Sequence, residues 1–125
     1  MRLLLDTHIY LWAVNDDQKL SKAARQLILE ADDVFVSSAS IWEASIKAGL
    51  GKLDVDINLL VSEIEASGFR ELPVRAAHGA MVRDLPDIHR DPFDRILIAQ
   101  ALWEPLRLVT SDDHLCKYTD LVINV

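Results

Sequence analysis

The chain has 125 residues, half of them hydrophobic and 26% charged, with a formal net charge of −7. That length suits one domain, residues 1–125, with a real core, and the acidic balance excludes a protein that grips nucleic acid by broad positive charge, though not an enzyme that neutralises phosphates locally. No apolar run approaches the roughly 20 residues of a membrane span, the opening MRLLLDTH is too short for a secretory signal, and the lone Cys116 excludes an internal disulfide. A cytoplasmic protein with no membrane attachment is therefore expected.

In chain order, Leu3 to Leu5 reads as a buried strand, followed by helical periodicity over Thr7–Val14 and Ser21–Ala31. A second short apolar strand at Val34–Val36 precedes helices at Ser38–Ala48 and Ile57–Ala66, with Gly49 and Gly68 as expected helix stops. A third strand, Phe69–Leu72, is ended by Pro73. Helices at Arg75–Val82 and Pro92–Leu102 lead to strands at Leu106–Val109 and Leu121–Val125. No repeat, low-complexity tract or Pro/Gly/Ser-rich linker interrupts the series. Strands alternating with helices predict a three-layer α/β/α fold around a mainly parallel sheet of about five strands.

In such a sheet, ligands bind beyond the carboxyl ends of the strands, where helix N-termini also gather. Asp6 follows the first strand directly. Glu43 lies about one turn into the helix after the second strand, Asp94 falls in the first turn of the helix leading back to the fourth, and Asp112 follows that strand after VTS. Carboxylates far apart in sequence are thus expected on one edge of one sheet. They repel one another, so a cation is needed, and an all-oxygen ligand set suits Mg²⁺ or Mn²⁺ better than zinc. Such ions support phosphodiester hydrolysis.

Structural roles compete for the same residues. Asp91 before Pro92 has the form of an N-cap with proline at the first helical position, and Asp94 then favours the helix dipole. Asp112 or Asp113 is a potential cap for a short helix toward Tyr118. Asp6 resists such an account, because it ends an apolar strand where an unpaired carboxylate is costly to bury. His8, His78, His89 and His114 have no metal-binding spacing such as HExxH. Trp12, Trp42 and Trp103 read as core residues rather than base-stacking platforms.

The stretches LLLDTHIYLW, SSASIWEASIKAGLGKL, HRDPFDRILIAQA and LVTSDDHL, in this order over nearly the whole chain, resemble the signature blocks of the PIN-domain family. More closely, they are similar to the VapC-like toxins of bacterial type II toxin–antitoxin pairs. The resemblance implies a PIN fold and a Mg²⁺- or Mn²⁺-dependent ribonuclease acting on tRNA or rRNA. It also implies a homodimer inhibited by a VapB-like antitoxin that inserts a segment at or near the site. The acids it carries over are Asp6, Glu43, Asp94 as the second acid of DPFDR, and Asp112 as the acid of the TxD pattern formed by Thr110, Ser111 and Asp112. Asp113 remains a rival for the fourth position, and Asp91 is a candidate support.

Chemistry suggests roles beside the resemblance. Asp6 and Asp94 are candidate rigid ligands, Glu43 a ligand or an orienter of the attacking water, and Asp112 a residue acting through water or a second ion. The Thr7 and Thr110 hydroxyls adjoin the acids and suit either water and phosphate or a local backbone bond. Arg95 suits a phosphate contact or a salt bridge to Asp91 across one helical turn. Lys47 and Lys52 are candidate local cations or solvated helix-end residues. Two rivals remain: a catalytically silent PIN-like interaction module, and a receiver-like phosphoacceptor domain, which lacks its expected lysine where VTSDDH stands.

Overall fold

A computed structural model describes residues Met1–Val125. Five strands, β1 (Arg2–Leu5), β2 (Asp33–Ser37), β3 (Arg70–Leu72), β4 (Arg107–Thr110) and β5 (Val122–Asn124), form one sheet in the order β3-β2-β1-β4-β5. Every pairing is parallel, with Leu5 opposite Val36 on one side and Val109 on the other. The helices are α1 (Thr7–Val14), α2 (Lys22–Glu30), α3 (Ser38–Gly49), α4 (Ile57–Ala66), α5 (Ala76–Val82) and α6 (Pro92–Trp103), with a 3-10 turn at Asp113–Lys117.

The two-residue period of the strands splits the core into two layers. Leu3 and Leu5 of β1 join Val34, Val36 and Val109 under α1, α2 and α4, where Ile9, Tyr10, Ala24, Leu60 and Ile64 are buried. Leu4 faces the other way and packs with Leu108, Leu115 and the α6 residues Leu97, Ile98 and Ala101. A strand covered on both faces favours apolar residues, which accounts for the apolar run Leu3 to Leu5 of β1. The sandwich is the expected α/β/α arrangement.

Side-chain caps set the helix starts that matter for the site. Asp6 accepts from the Ile9 N–H at the start of α1, Ser37 from Ala39 at the start of α3, and Asp91 from Phe93 and Asp94 at the start of α6, with Pro92 in the first turn. Asp112 caps the 3-10 turn by accepting from the His114 N–H. Because connections from the central β1 run to β2 on one side while β4 lies on the other, a crevice opens between the carboxyl ends of β1 and β4.

The structure corrects several sequence expectations. Helix α3 runs through Gly49, and the residue that turns the chain is Gly51, whose φ of +72° lies in the left-handed region; Gly68, at +79°, does end its helix as expected. Phe69 and Leu106 precede their strands rather than opening them, and β4 extends to Thr110, so this hydroxyl is buried at the sheet edge. Trp42 and Trp103 are exposed rather than core. On α3 the four-residue spacing places Trp42, Ile46 and Leu50 in one solvent-facing stripe, while Ala39, Glu43 and Ala44 turn inward. No helix is long and apolar enough to cross a membrane.

Candidate active site

At the crevice lies a pocket of about 250 Å³ lined by Asp6, Thr7, His8, Glu43, Lys47, His89, Asp91, Asp94, Ser111 and Asp112, none of them hydrophobic. Asp6 comes from the end of β1, Glu43 from α3, Asp91 and Asp94 from the start of α6, and Asp112 from just beyond β4. The four expected acids therefore meet in one place. A larger apolar groove of about 500 Å³, lined by Trp42, Val82, Phe93 and Ile96 among others, contains no acid.

Each acid is held differently. Asp6 and Glu43 are almost fully buried, at 6% and 5% exposure. Asp6 Oδ1 accepts from the Ile9 N–H at 2.8 Å, and Oδ2 accepts from the Thr110 hydroxyl at 2.5 Å. Burial pushes the Asp6 carboxyl above its usual range despite these bonds and the nearby His8, which favour the charged form. Lys47 Nζ donates to Glu43 Oε2 at 2.7 Å, one turn along α3, and the pairing raises the Lys47 ammonium. Asp94 is pushed up to about 6 by burial and then by the neighbouring Asp91, against the opposing pull of His89, whose Nε2 lies 2.9 Å from Oδ2.

Thr110 Oγ1 both donates to Asp6 and accepts from the Asp112 N–H at 3.0 Å, so it binds the first and last acids together. Thr7 donates to the Ser40 hydroxyl at 2.9 Å, pinning α1 to α3. Asp91 lines the pocket while capping α6. Asp113 is exposed and does not line the pocket, whereas Asp112 does. Lys47 lines it and Lys52 does not.

Arg95 forms no salt bridge to Asp91; only its backbone N–H reaches the Asp91 carbonyl. Its guanidinium is taken up by the carbonyls of Val82, Pro86 and His89 and by the Tyr118 hydroxyl. The carbonyls of an irregular segment outcompete a carboxylate already engaged in capping. His89 also lines the pocket, although no metal-binding spacing among the histidines points to it. The available signal was its place just before the Asp91 cap, in HRDPFDR.

Five acids against one lysine make a charge distribution that favours a divalent cation, and the donors are hard oxygens. Carboxylate oxygens of Asp94 and Asp112 lie within 4.8 Å of one another, close enough to share an ion, and a His89 ring nitrogen in the same range is hydrogen-bonded to Asp94. The residues present fit such a group: Asp6 is buried with no cationic partner of its own, at a cost that a bound cation would relieve.

A five-stranded parallel sheet in this order, with an acid-lined pocket at its switch point, makes this an α/β protein with a candidate cation site at the carboxyl ends of β1 and β4. A sequence model of the PIN domain matches residues 3–121, and the chain belongs to the PIN-domain family. Within it, the chain is 32% identical over 116 residues to Ribonuclease VapC22 of Mycobacterium tuberculosis, covering 90% of this chain and 88% of that protein. Among solved structures, the fold is similar to VapBC2 from Rickettsia felis bound to a DNA fragment from their promoter, with a TM-score of 0.72 and 18% identity over 100% of this chain and 99% of that one. It is also similar to FitAcB from Neisseria gonorrhoeae, with a TM-score of 0.68 and 20% identity over 98% and 96%. A toxin–antitoxin complex from Klebsiella pneumoniae gives 0.67 and 16% over 98% and 96%.

Proposed function

We propose that this chain is a VapC-like endoribonuclease toxin that hydrolyses RNA phosphodiester bonds at the acid pocket with Mg²⁺ or Mn²⁺, and that a VapB-like antitoxin neutralises it. The observation that carries the reading is the convergence of Asp6, Glu43, Asp94 and Asp112 from four separate elements on one polar pocket. The likeness to a protein named as a ribonuclease and to toxin–antitoxin complexes supports it. Structured RNA, tRNA or rRNA, is the substrate class that the family resemblance favours.

Asp6, Glu43, Asp94 and Asp112 would hold the ion. When bound, a divalent cation supplies Lewis acidity toward a phosphoryl oxygen and lowers the pKa of water. The protein's own groups do the rest. Thr110 and the α1 N-terminus fix both oxygens of Asp6, and each oxygen keeps a lone pair for a further contact. Lys47 restrains one Glu43 oxygen and leaves the other to orient water, while its ammonium offsets part of the charge that would repel a phosphate. His8 and Ser111 line the same pocket, where polar groups can meet the RNA backbone.

The exposed stripe of Trp42, Ile46 and Leu50 supports association with a partner, as the homodimer and antitoxin readings require. The testing experiment is incubation of purified, antitoxin-free protein with total cellular RNA, with Mg²⁺ or Mn²⁺ and with chelator, beside Asp94→Asn. Discrete cuts that need metal and vanish in the variant are expected. A folded, metal-bound wild type that cuts no more than the variant would leave a silent interaction module as the better account.

A further inference from the structure

Between α5 and α6, residues 83–91 form no regular element, yet one guanidinium spans them. Arg95 Nη2 donates to the Val82 carbonyl at 3.1 Å, and Nη1 lies within 3.0 Å of the Pro86 carbonyl and 3.4 Å of the His89 carbonyl. Nη1 also donates to the Tyr118 hydroxyl at 3.2 Å. Tyr118 Oη in turn accepts from the His89 N–H at 2.8 Å and donates to the His89 carbonyl at 3.2 Å. Both backbone groups of His89 are therefore held, by one residue of α6 and one that follows the 3-10 turn. Such convergence on one loop residue is more than closure of a short connection requires.

The held backbone aims a side chain. His89 Nε2 sits 2.9 Å from Asp94 Oδ2, both side chains being partly buried, at 32% and 23% exposure. With its proton on Nε2, the imidazole donates to Oδ2, and Asp94 Oδ1 accepts no hydrogen bond from the protein. A carboxylate on its terminal torsion has a broad, roughly twofold preference. A single fixed donor breaks that degeneracy and leaves the other oxygen free of protein donors, in a residue that lines the pocket. Groups that orient a ligand without touching the metal tune affinity as strongly as some ligands do.

We infer that His89 is a positioning residue: clasped by Arg95 and Tyr118, it orients the Asp94 carboxylate toward the divalent cation. The inference rests on the proposed reading of the acid pocket as a metal site. Tyr118 acts on the site only through His89, and Arg95 is structural to the clasp rather than a phosphate contact.

The test is Mn²⁺ binding to the full chain by titration calorimetry, in wild type, Asp94→Asn, His89→Ala, His89→Gln, Tyr118→Phe and the His89→Ala/Tyr118→Phe double variant. His89→Ala is expected to weaken Mn²⁺ binding about tenfold. His89→Gln, whose amide N–H replaces Nε2–H, recovers most of it, and Tyr118→Phe gives a smaller loss. The double variant binds no more weakly than His89→Ala alone, which a merely structural tyrosine would not produce. Pulsed EPR of the Mn²⁺-loaded protein shows no coupling to a directly bound imidazole nitrogen.

Wild-type affinity in His89→Ala, additive losses in the double variant, failure of glutamine to rescue, or a directly coupled nitrogen would each overturn the inference while the metal reading stands. If wild type itself bound Mn²⁺ no better than Asp94→Asn, both would fall.

Discussion

The Thr110 hydroxyl donates to Asp6 Oδ2 across 104 positions of sequence, and Thr110 Oγ1 also accepts the Asp112 N–H. One side chain at the end of β4 thus sets the position of a buried carboxylate from β1 and of the turn that presents Asp112. Thr110→Val keeps the β-branched shape but removes both bonds. Loss of a hydrogen bond to a charged buried group costs about 1–3 kcal/mol of stability. The larger expected effect is a roughly 10- to 100-fold fall in metal affinity and RNA cleavage. Thr110→Ser should recover most of the loss, and calorimetry beside an RNA cleavage assay measures both.

Asp94, raised to about 6 from the usual 3.8, makes the metal-free protein pH-sensitive. The folded state binds this proton more tightly than the unfolded state, so the favourable contribution is complete below 3.8 and is lost as pH rises through 6. Asp94→Asn therefore stabilises the metal-free protein at pH 7.5, by about 1 kcal/mol after discounting for solvent screening of a partly exposed group. The gain disappears below pH 4. Saturating Mn²⁺ should narrow or reverse it, because only the wild type retains the full carboxylate set. Thermal melts of both proteins at pH 4, 5.5 and 7.5, with and without Mn²⁺, decide the matter.

Asp6, Asp94 and Asp112 were legible in the sequence because each stands where an element begins or ends, whereas Glu43 lies in the middle of α3. Asp6 closes an apolar run, Asp94 follows a cap-and-proline start, and strand-end logic needs only those local signs. The ties between them were not legible. Thr110 finds Asp6 only once β1 and β4 are neighbours, and Arg95 finds carbonyls of a segment with no periodicity to read. Helix ends failed where two glycines compete: Gly49 and Gly51 look alike in sequence, and only the backbone angle separates them. Trp42 misled because large aromatics usually mark a core. Here α3 turns its small and acidic residues inward and leaves the indole to the surface, edge-on to Phe93.

Fold and chemistry should separate cleanly at Tyr10. This side chain is fully buried, and its hydroxyl donates to the Leu60 carbonyl of α4 at 2.6 Å, away from the acids. Tyr10→Phe removes this second bond from a carbonyl that the helix already pairs, at a cost of about 1 kcal/mol. The melting temperature should fall by roughly 4–8 °C. RNA cleavage at 25 °C should be unchanged. A cleavage defect without a stability loss would mean that the α1–α4 layer does more than support β1.

Asp112 and Asp113 offer the sharpest test of the site, because adjacent residues of the same type differ only in placement. Asp112 lines the pocket and caps the 3-10 turn through the His114 N–H; Asp113 is exposed outside it. Asparagine caps a helix about as well as aspartate, so Asp112→Asn preserves the turn and removes the charge. A fall in metal-dependent cleavage of at least about tenfold is expected, a size typical of lost metal-site support. Asp113→Asn, a surface change, should shift stability by no more than about 0.5 kcal/mol and leave cleavage intact. Equal losses in the two variants would point to a general effect of negative charge on that edge. A loss in Asp113→Asn alone would require the turn to rotate on metal binding, bringing the second aspartate of TSDD into the pocket in place of the first.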